Sequence, residues 1–217
     1  MTTPWTVPKD WDGETVAILG SGPSMSHAVA ERVRGKCRVI AISNQGIPVA
    51  DHAGVVQPAV APWADVLYAS DIKWWNVYAD RALQFPGLKV TMYHQSSHAS
   101  IFSLFASGNA PYDDRPTHIF GGNNSGFAGM QVAIKRGARQ ILLCGFDMKT
   151  VNGKEHNFKC HEGECNVPIR NKYHKWIERF EALSRYAPKL GVTILNCTPG
   201  SALHCFPKVA LEDVAWH

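Results

Sequence analysis

Val16-Ala-Ile-Leu-Gly-Ser-Gly-Pro-Ser24 decides how this chain is read: four apolar residues run into a glycine turn that stops at a Pro-Ser pair able to open a helix. A strand feeding such a turn leaves backbone N–H groups bare beside a helix N-terminus, where nucleotide phosphates settle. Gly20, Ser21, Gly22, Pro23 and Ser24 are therefore the first candidate nucleotide contacts. The turn has only two glycines of the dinucleotide fingerprint, with Met25 standing where the third would be, and it lacks the phosphate-loop lysine. That argues against an ordinary NAD site and against a P-loop ATPase. The plain alternative is a tight strand-to-helix turn with no ligand.

Moving outward, strand-like runs lie at residues 15–19, 38–42, 66–69, 88–92, 140–144 and 192–195, most of them continuously apolar. Strands buried on both faces have this pattern, so the expected fold is α/β and Rossmann-like, a mainly parallel sheet with helices on each face, over the whole 217 residues as one domain. Helices fall between the strands. Ser24 or Ser26 can cap one running to about Arg34, and Ser125 precedes another whose Phe127, Met130 and Ile134 share a face. The longest carries Tyr173, Trp176, Ile177, Phe180, Leu183, Ala187 and Leu190 at three- and four-residue steps before Gly191 stops it; these side chains read as core, and His174 as solvent-facing. Segments of about 94–118 and 148–171 are polar and irregular, and read as lids over the strand ends.

Ligands of an open parallel sheet collect beyond the carboxyl ends of its strands. Those ends carry the first glycine turn, then Ser43-Asn44-Gln45-Gly46, Ser70-Asp71, Gly145-Phe146-Asp147, and residues 196–201. Asn44 offers an amide donor and a carbonyl acceptor to a ribose or base edge, or serves as a turn residue. Asp71 and Asp147 suit a ribose hydroxyl, a base or Mg²⁺, or else a helix cap and a turn. Gly121-Gly-Asn-Asn-Ser-Gly126 is a second glycine-rich helix entry, adding Asn124, Ser125 and Gly126 to the candidate phosphate contacts.

His156, Cys160, His161 and Cys165 form an H-x₃-C-H-x₃-C run with enough soft ligands for zinc, although the C-x₂-C pair of zinc ribbons is absent. Either histidine, titrating near neutrality, would equally serve as general base on an acceptor hydroxyl; a solvated flap is the third reading.

Composition sets the remaining bounds. With 45% hydrophobic residues the chain can build a real core, and its net charge of +4 comes from 22 Lys and Arg residues spread along the sequence. That suits a phosphorylated small molecule better than it argues for a nucleic-acid platform. No apolar run approaches the roughly 20 residues of a membrane span. Met1-Thr-Thr-Pro-Trp5 lacks the order of a signal peptide, so a cytoplasmic location is expected. The six cysteines are expected to be reduced thiols, with Cys37, Cys144 and Cys197 as small core residues.

Four pieces taken in order, Ile18-Leu-Gly-Ser-Gly-Pro-Ser24, Ala41-Ile-Ser-Asn-Gln45, Ser125-Gly-Phe-Ala-Gly-Met-Gln-Val-Ala-Ile continuing to Gly145-Phe-Asp147, and Asn196-Cys-Thr-Pro-Gly-Ser-Ala-Leu203, give a resemblance. The chain resembles the bacterial sialyltransferases of glycosyltransferase family 42. It is also similar to the motility-accessory-factor glycosyltransferases and the archaeal 6-hydroxymethyl-dihydropterin diphosphokinases, and short proteins of this look occur in bacteriophage genomes. The resemblance implies that residues 20–24, Asn44, Asn124, Ser125 and Gly126 contact a nucleotide, and that a histidine after the Gly-x-Asp strand, His156 or His161, is the base. The paired tyrosines of the sialyltransferases have no obvious counterpart between Asp147 and Tyr173.

The expected activity is transfer of a sugar from a nucleotide-activated donor, a CMP-sugar or another nucleotide-sugar, to a hydroxyl acceptor. That acceptor is a glycan, a small molecule or a modified nucleic acid. His156, His161 and Asp147 are the candidate catalytic residues. A diphosphokinase using ATP, with Mg²⁺ near Asp71 or Asp147, is the second enzymatic expectation. A nucleotide-binding protein with a zinc-stapled loop is the non-catalytic one, and a homo-oligomer is compatible with each.

Overall fold

The computed structural model describes residues 5–51, 53–92, 98–159, 161–163 and 168–216. In chain order the elements are β1 (Thr15–Leu19), α1 (His27–Val33), β2 (Arg38–Ile42), β3 (Val49–Ala50), β4 (Val56–Gln57), β5 (Val66–Tyr68), α2 (Ile72–Leu83) and β6 (Leu88–Thr91). They are followed by β7 (Ile101–Ser103), β8 (Phe105–Ala106), β9 (His118–Ile119), α3 (Ser125–Lys135), β10 (Gln140–Cys144), α4 (Tyr173–Tyr186) and β11 (Thr193–Asn196). Seven strands form one sheet in the order β11-β10-β1-β2-β5-β6-β7, and every neighbouring pair is parallel. The fold is α/β and Rossmann-like.

β1 and β10 lie side by side inside that sheet and are buried at every position. Their residues pair directly, Ile18 with Leu143 and Leu19 with Cys144. Because side chains alternate along a strand, Val16 and Ile18 enter the core on one face while Ala17 and Leu19 enter the core on the other. The first core also takes Phe127 and Met130 of α3 and Phe180 and Leu183 of α4; the second takes Val33 of α1 and Trp74, Trp75 and Tyr78 of α2. Each such side chain stabilises the fold by about 1.5–3 kcal/mol on burial, which is why strands with almost no polar residue end up sandwiched between helices.

Each helix begins at a side chain that satisfies a free amide, where the sequence supplies one. Ser26 accepts from Val29 N, Asp71 from Lys73 N, and Asn124 from Phe127 N. The first helix therefore starts at His27 with Ser26 as its cap, and the alternative cap Ser24 is used elsewhere. α4 ends at Tyr186 and tightens into a 3₁₀ turn over Ala187–Leu190, because Pro188 has no amide to continue the helix; Gly191, at φ +68°, then ends it. Tyr173, Trp176, Ile177 and Leu190 are only partly buried, whereas Phe180, Leu183 and Ala187 are core.

The 94–118 segment differs from its sequence reading. It contains β7, the edge strand of the main sheet, and β8, which pairs with β9 in a small parallel ladder. Ile101-Phe-Ser103 is too short to stand out as a run. Cys144 and Cys197 are buried in the core and Cys37 packs against it, with burial pushing its thiol up to about 12. No helix among the described residues is long and apolar enough to cross a membrane.

Candidate active site

The chain leaves β1 toward β2 on one side and β10 toward β11 on the other, so a crevice opens beyond the carboxyl ends of β1 and β10. A cavity of about 880 Å³ occupies it. That is room for a nucleotide with a substituent.

The glycines here are required by contact. Gly20 N donates to Cys144 O at 2.8 Å and Gly22 N to Gly145 O at 2.9 Å, which laces the two strand ends together past the sheet. A Cβ on Gly20 would stand 2.8 Å from Gly145 O, and one on Gly22 would stand 2.1 Å from Asp147 Oδ2. Asp147 closes the turn: its Oδ2 accepts from the Ser24 hydroxyl at 2.8 Å and from Ser24 N at 3.3 Å. Ser21 and Pro23 line the cavity, whereas Ser24 turns back to Asp147. Because α1 starts only at His27, the turn offers the cavity backbone and small side chains and not the N-terminus of a helix.

The second glycine turn reaches the same cavity. Gly122 and Asn123 take left-handed backbone, φ +59° and +57°, and Asn124 spends its side-chain oxygen on Phe127 N at 2.9 Å, capping α3. Asn124, Ser125 and Gly126 line the cavity, and the Ser125 hydroxyl accepts from Ser70 N at 3.1 Å. The Phe146 ring sits between the two turns: a Cβ on Gly20 would be 3.0 Å from it and one on Gly126 2.7 Å. Residues more than a hundred positions apart thus form one wall.

The loop after β10 continues the lining from the first turn. His156, Phe158 and His161 form a compact aromatic group, with His156 stacked on Phe158 at 4.8 Å between centroids and His161 edge-on to His156 at 4.9 Å. His156 Nδ1 lies 3.4 Å from the Ser21 hydroxyl. The loop is anchored at Asn157 and Glu162. Asn157 N donates to Ser21 O at 3.0 Å, and its side chain exchanges two hydrogen bonds with Gln45. Glu162 receives both Arg81 nitrogens at 2.7 and 2.5 Å and Ala50 N at 2.7 Å. Arg81 holds the Glu162 carboxyl below the usual carboxylate range, and burial holds both histidines below theirs, His161 at about 3.

Besides Ser24, two candidates sit differently from their sequence reading. Asn44 is off the cavity wall, buried behind His161, where its Oδ1 accepts from Trp74 Nε1 at 2.5 Å and its amide nitrogen meets His161 Nδ1 at 3.0 Å. Asp71 lines the cavity but gives Oδ1 to Lys73 N at 2.8 Å as the cap of α2. The zinc reading rests on Cys160 and Cys165, which lie outside the described residues; among the described residues no three His, Cys, Asp or Glu side chains are grouped to hold a metal ion.

Sequence reasoning missed Tyr173 and Trp176, which line the cavity from the first turn of α4, and the lysines Lys73, Lys149, Lys172 and Lys175 around it. The Tyr173 hydroxyl is sealed from water beside Thr150, and burial pushes it up to about 12. The available signal was positional: α4 starts where the loop from β10 ends, so its first turn must face the strand ends.

The class of protein this defines is a Rossmann-like α/β domain with a lysine-rimmed crevice at its topological switch point. Among solved structures it is similar to the MAf glycosyltransferase of Magnetospirillum magneticum AMB-1, at 14% identity and a TM-score of 0.59, over 99% of this chain and 37% of that one. It is also similar to the sialyltransferase CstII of Campylobacter jejuni, solved with the substrate analogue cytidine-5'-monophosphate, at 16% identity and a TM-score of 0.55, over 92% of this chain and 86% of that one. The chain therefore spans little more than a third of the Magnetospirillum protein, 37%. No protein-family model matches it, and a search of curated proteins gave no match.

Proposed function

We propose that this protein is a nucleotide-dependent transferase that moves a sugar from a nucleotide-sugar donor to a hydroxyl acceptor. The observation that carries the reading is the convergence of two glycine turns, residues 20–23 and 124–126, with two histidines on one lysine-lined cavity. The donor phosphate lies against those turns, where amides and Lys149, Lys172 and Lys175 stabilise the charge that builds on it. A histidine of the pair His156 and His161 takes the proton of the acceptor hydroxyl. The acceptor oxygen bonds to the anomeric carbon, and the bond from that carbon to the donor phosphate breaks with its electron pair staying on the phosphate. Asp147 acts by holding the first turn in shape.

The fold shared with two glycosyltransferases, one of them solved with CMP, supports a CMP-sugar as the first donor to try. The test is a thermal-shift screen against CMP, UDP, GDP and ATP species, followed by donor hydrolysis with the best binder. A ligand at 100 times its Kd stabilises the fold by about 2.7 kcal/mol, well above detection. A shift with one nucleotide class and turnover of its sugar conjugate are expected; no shift with any class would overturn the proposal.

A further inference from the structure

We infer that Trp74 and Asn44 hold His161 as a neutral Nε2–H donor, and that His161 hydrogen-bonds an acceptor atom of the bound nucleotide-sugar and leaves proton abstraction to His156. The inference rests on the transferase reading above for its ligand, but its structural half stands alone.

The side chain of Trp74 fixes the orientation of Asn44. An indole nitrogen only donates, so the Asn44 side-chain atom 2.5 Å from Trp74 Nε1 must be its oxygen. The other end of the amide is then its NH₂ group, which only donates, and it lies 3.0 Å from His161 Nδ1. Nδ1 is consequently an acceptor without a proton, and the single proton of the neutral ring is on Nε2. This pair is well fixed: Asn44 is 3% and Trp74 3% exposed, and Trp74 packs edge-on against Trp75 at 5.0 Å.

The ring has little means of becoming an imidazolium in place. A proton added at Nδ1 would point at the Asn44 NH₂ group, and burial together with the neighbouring His156 ring already disfavours the charge. His161 lines the cavity, and no described residue is hydrogen-bonded to Nε2. A neutral ring with Nδ1 filled and a proton on Nε2 has no free lone pair for an acceptor hydroxyl. It has one hydrogen to give.

His156 is held differently. Its Nδ1 faces the Ser21 hydroxyl, which rotates to give or to accept; burial lowers its pKa, and the Glu155 carboxylate and the Ser21 backbone offset part of that effect. The two rings touch, so the pair divides into one donor and one base within a single aromatic group.

Long-range ¹H–¹⁵N spectra of the labelled chain read the tautomer directly, with the His161 signals assigned by their loss in H161Q. The Nε2–H form is expected near neutral pH. Asn44→Asp should reverse it, since a carboxylate accepts from both Trp74 Nε1–H and His161 Nδ1–H and leaves Nε2 bare. A wild-type His161 carrying its proton on Nδ1, or titrating like an exposed imidazole, overturns the inference, as does a folded N44D chain whose tautomer is unchanged. Should N44D melt, the wild-type spectrum still decides.

For function, CMP affinity is measured in H161Q and H161N. The Gln amide reaches the Nε2 position and the Asn amide only the Nδ1 position, so H161N should lose about tenfold more affinity than H161Q, the loss of one hydrogen bond. Donor turnover should persist at a reduced rate in H161Q and disappear in H156Q. Turnover abolished by H161Q and kept by H156Q would make His161 the base and sink the inference. A chain that binds no nucleotide overturns the transferase reading instead, and the tautomer result still stands or falls separately.

Discussion

Gly22→Ala tests the interlocked turns most sharply. The added methyl would stand 2.1 Å from Asp147 Oδ2 and 2.6 Å from Gly145 O. The carboxylate would have to swing away, giving up the Ser24 hydroxyl at 2.8 Å and Ser24 N at 3.3 Å. Losing a hydrogen bond to a charged group costs about 1.5–3 kcal/mol. Gly145 O is backbone and already accepts from Gly22 N, so the turn itself must also shift, at an overpacking cost of about 1–3 kcal/mol. The sum is about 4 kcal/mol, a fall in Tm of roughly 8–16 °C for a chain of this size. Urea denaturation would measure it, with Gly108→Ala as control, since no atom lies within 4 Å of a Cβ there and the change should stay within about 0.5 kcal/mol. The double variant G22A/D147A should lose less than the sum of the single changes, because the shortest clash is gone. If G22A unfolds at the wild-type midpoint, the account of the turn is wrong.

Glu162→Gln should cost about 1–2 kcal/mol, between the values for exposed and buried pairs, because the Arg81 and Glu162 side chains are 30% and 24% exposed; hydrogen exchange should show the loop around Asn157 opening before the sheet does. Since Arg81 lowers the folded carboxyl pKa, this contribution is full above the unfolded value of about 4.3 and is lost as pH falls through the folded one, so wild type and E162Q should converge in acid denaturation curves. Lys172→Glu combined with Lys175→Glu should weaken binding of an anionic nucleotide by about tenfold or more at low ionic strength and by less at high salt; isothermal titration at two salt concentrations checks this.

Much of the fold is legible in apolar runs because burial on two faces tolerates almost no polar residue: β1, β2 and β10 coincide with theirs to the residue. β7 is not legible, since a three-residue edge strand needs its neighbour β6 more than its own sequence. Among the site residues, Ser21, Ser125, His156 and His161 line the crevice, and each can be found from its place after a strand or in the polar loop. Asn44 was legible as a polar residue at a strand end, but its direction was not, because that depends on Trp74, 30 positions away. Tyr173 and Trp176 show the opposite failure, in which helical spacing groups them with true core residues such as Phe180 although they are the part of the stripe that extends past the sheet.

The sequence by itself determined six of the seven strands of the main sheet and the two glycine turns, since both are settled by a residue and its near neighbours. Only the tertiary structure decided that Phe146 is shared by the turns at Gly20 and Gly126, that Asp147 braces Ser24, and that Trp74 acts through Asn44 on His161. Those are contacts between distant parts of the chain, and the order of strands in the sheet, which no local pattern encodes, is what brings them within a few ångströms.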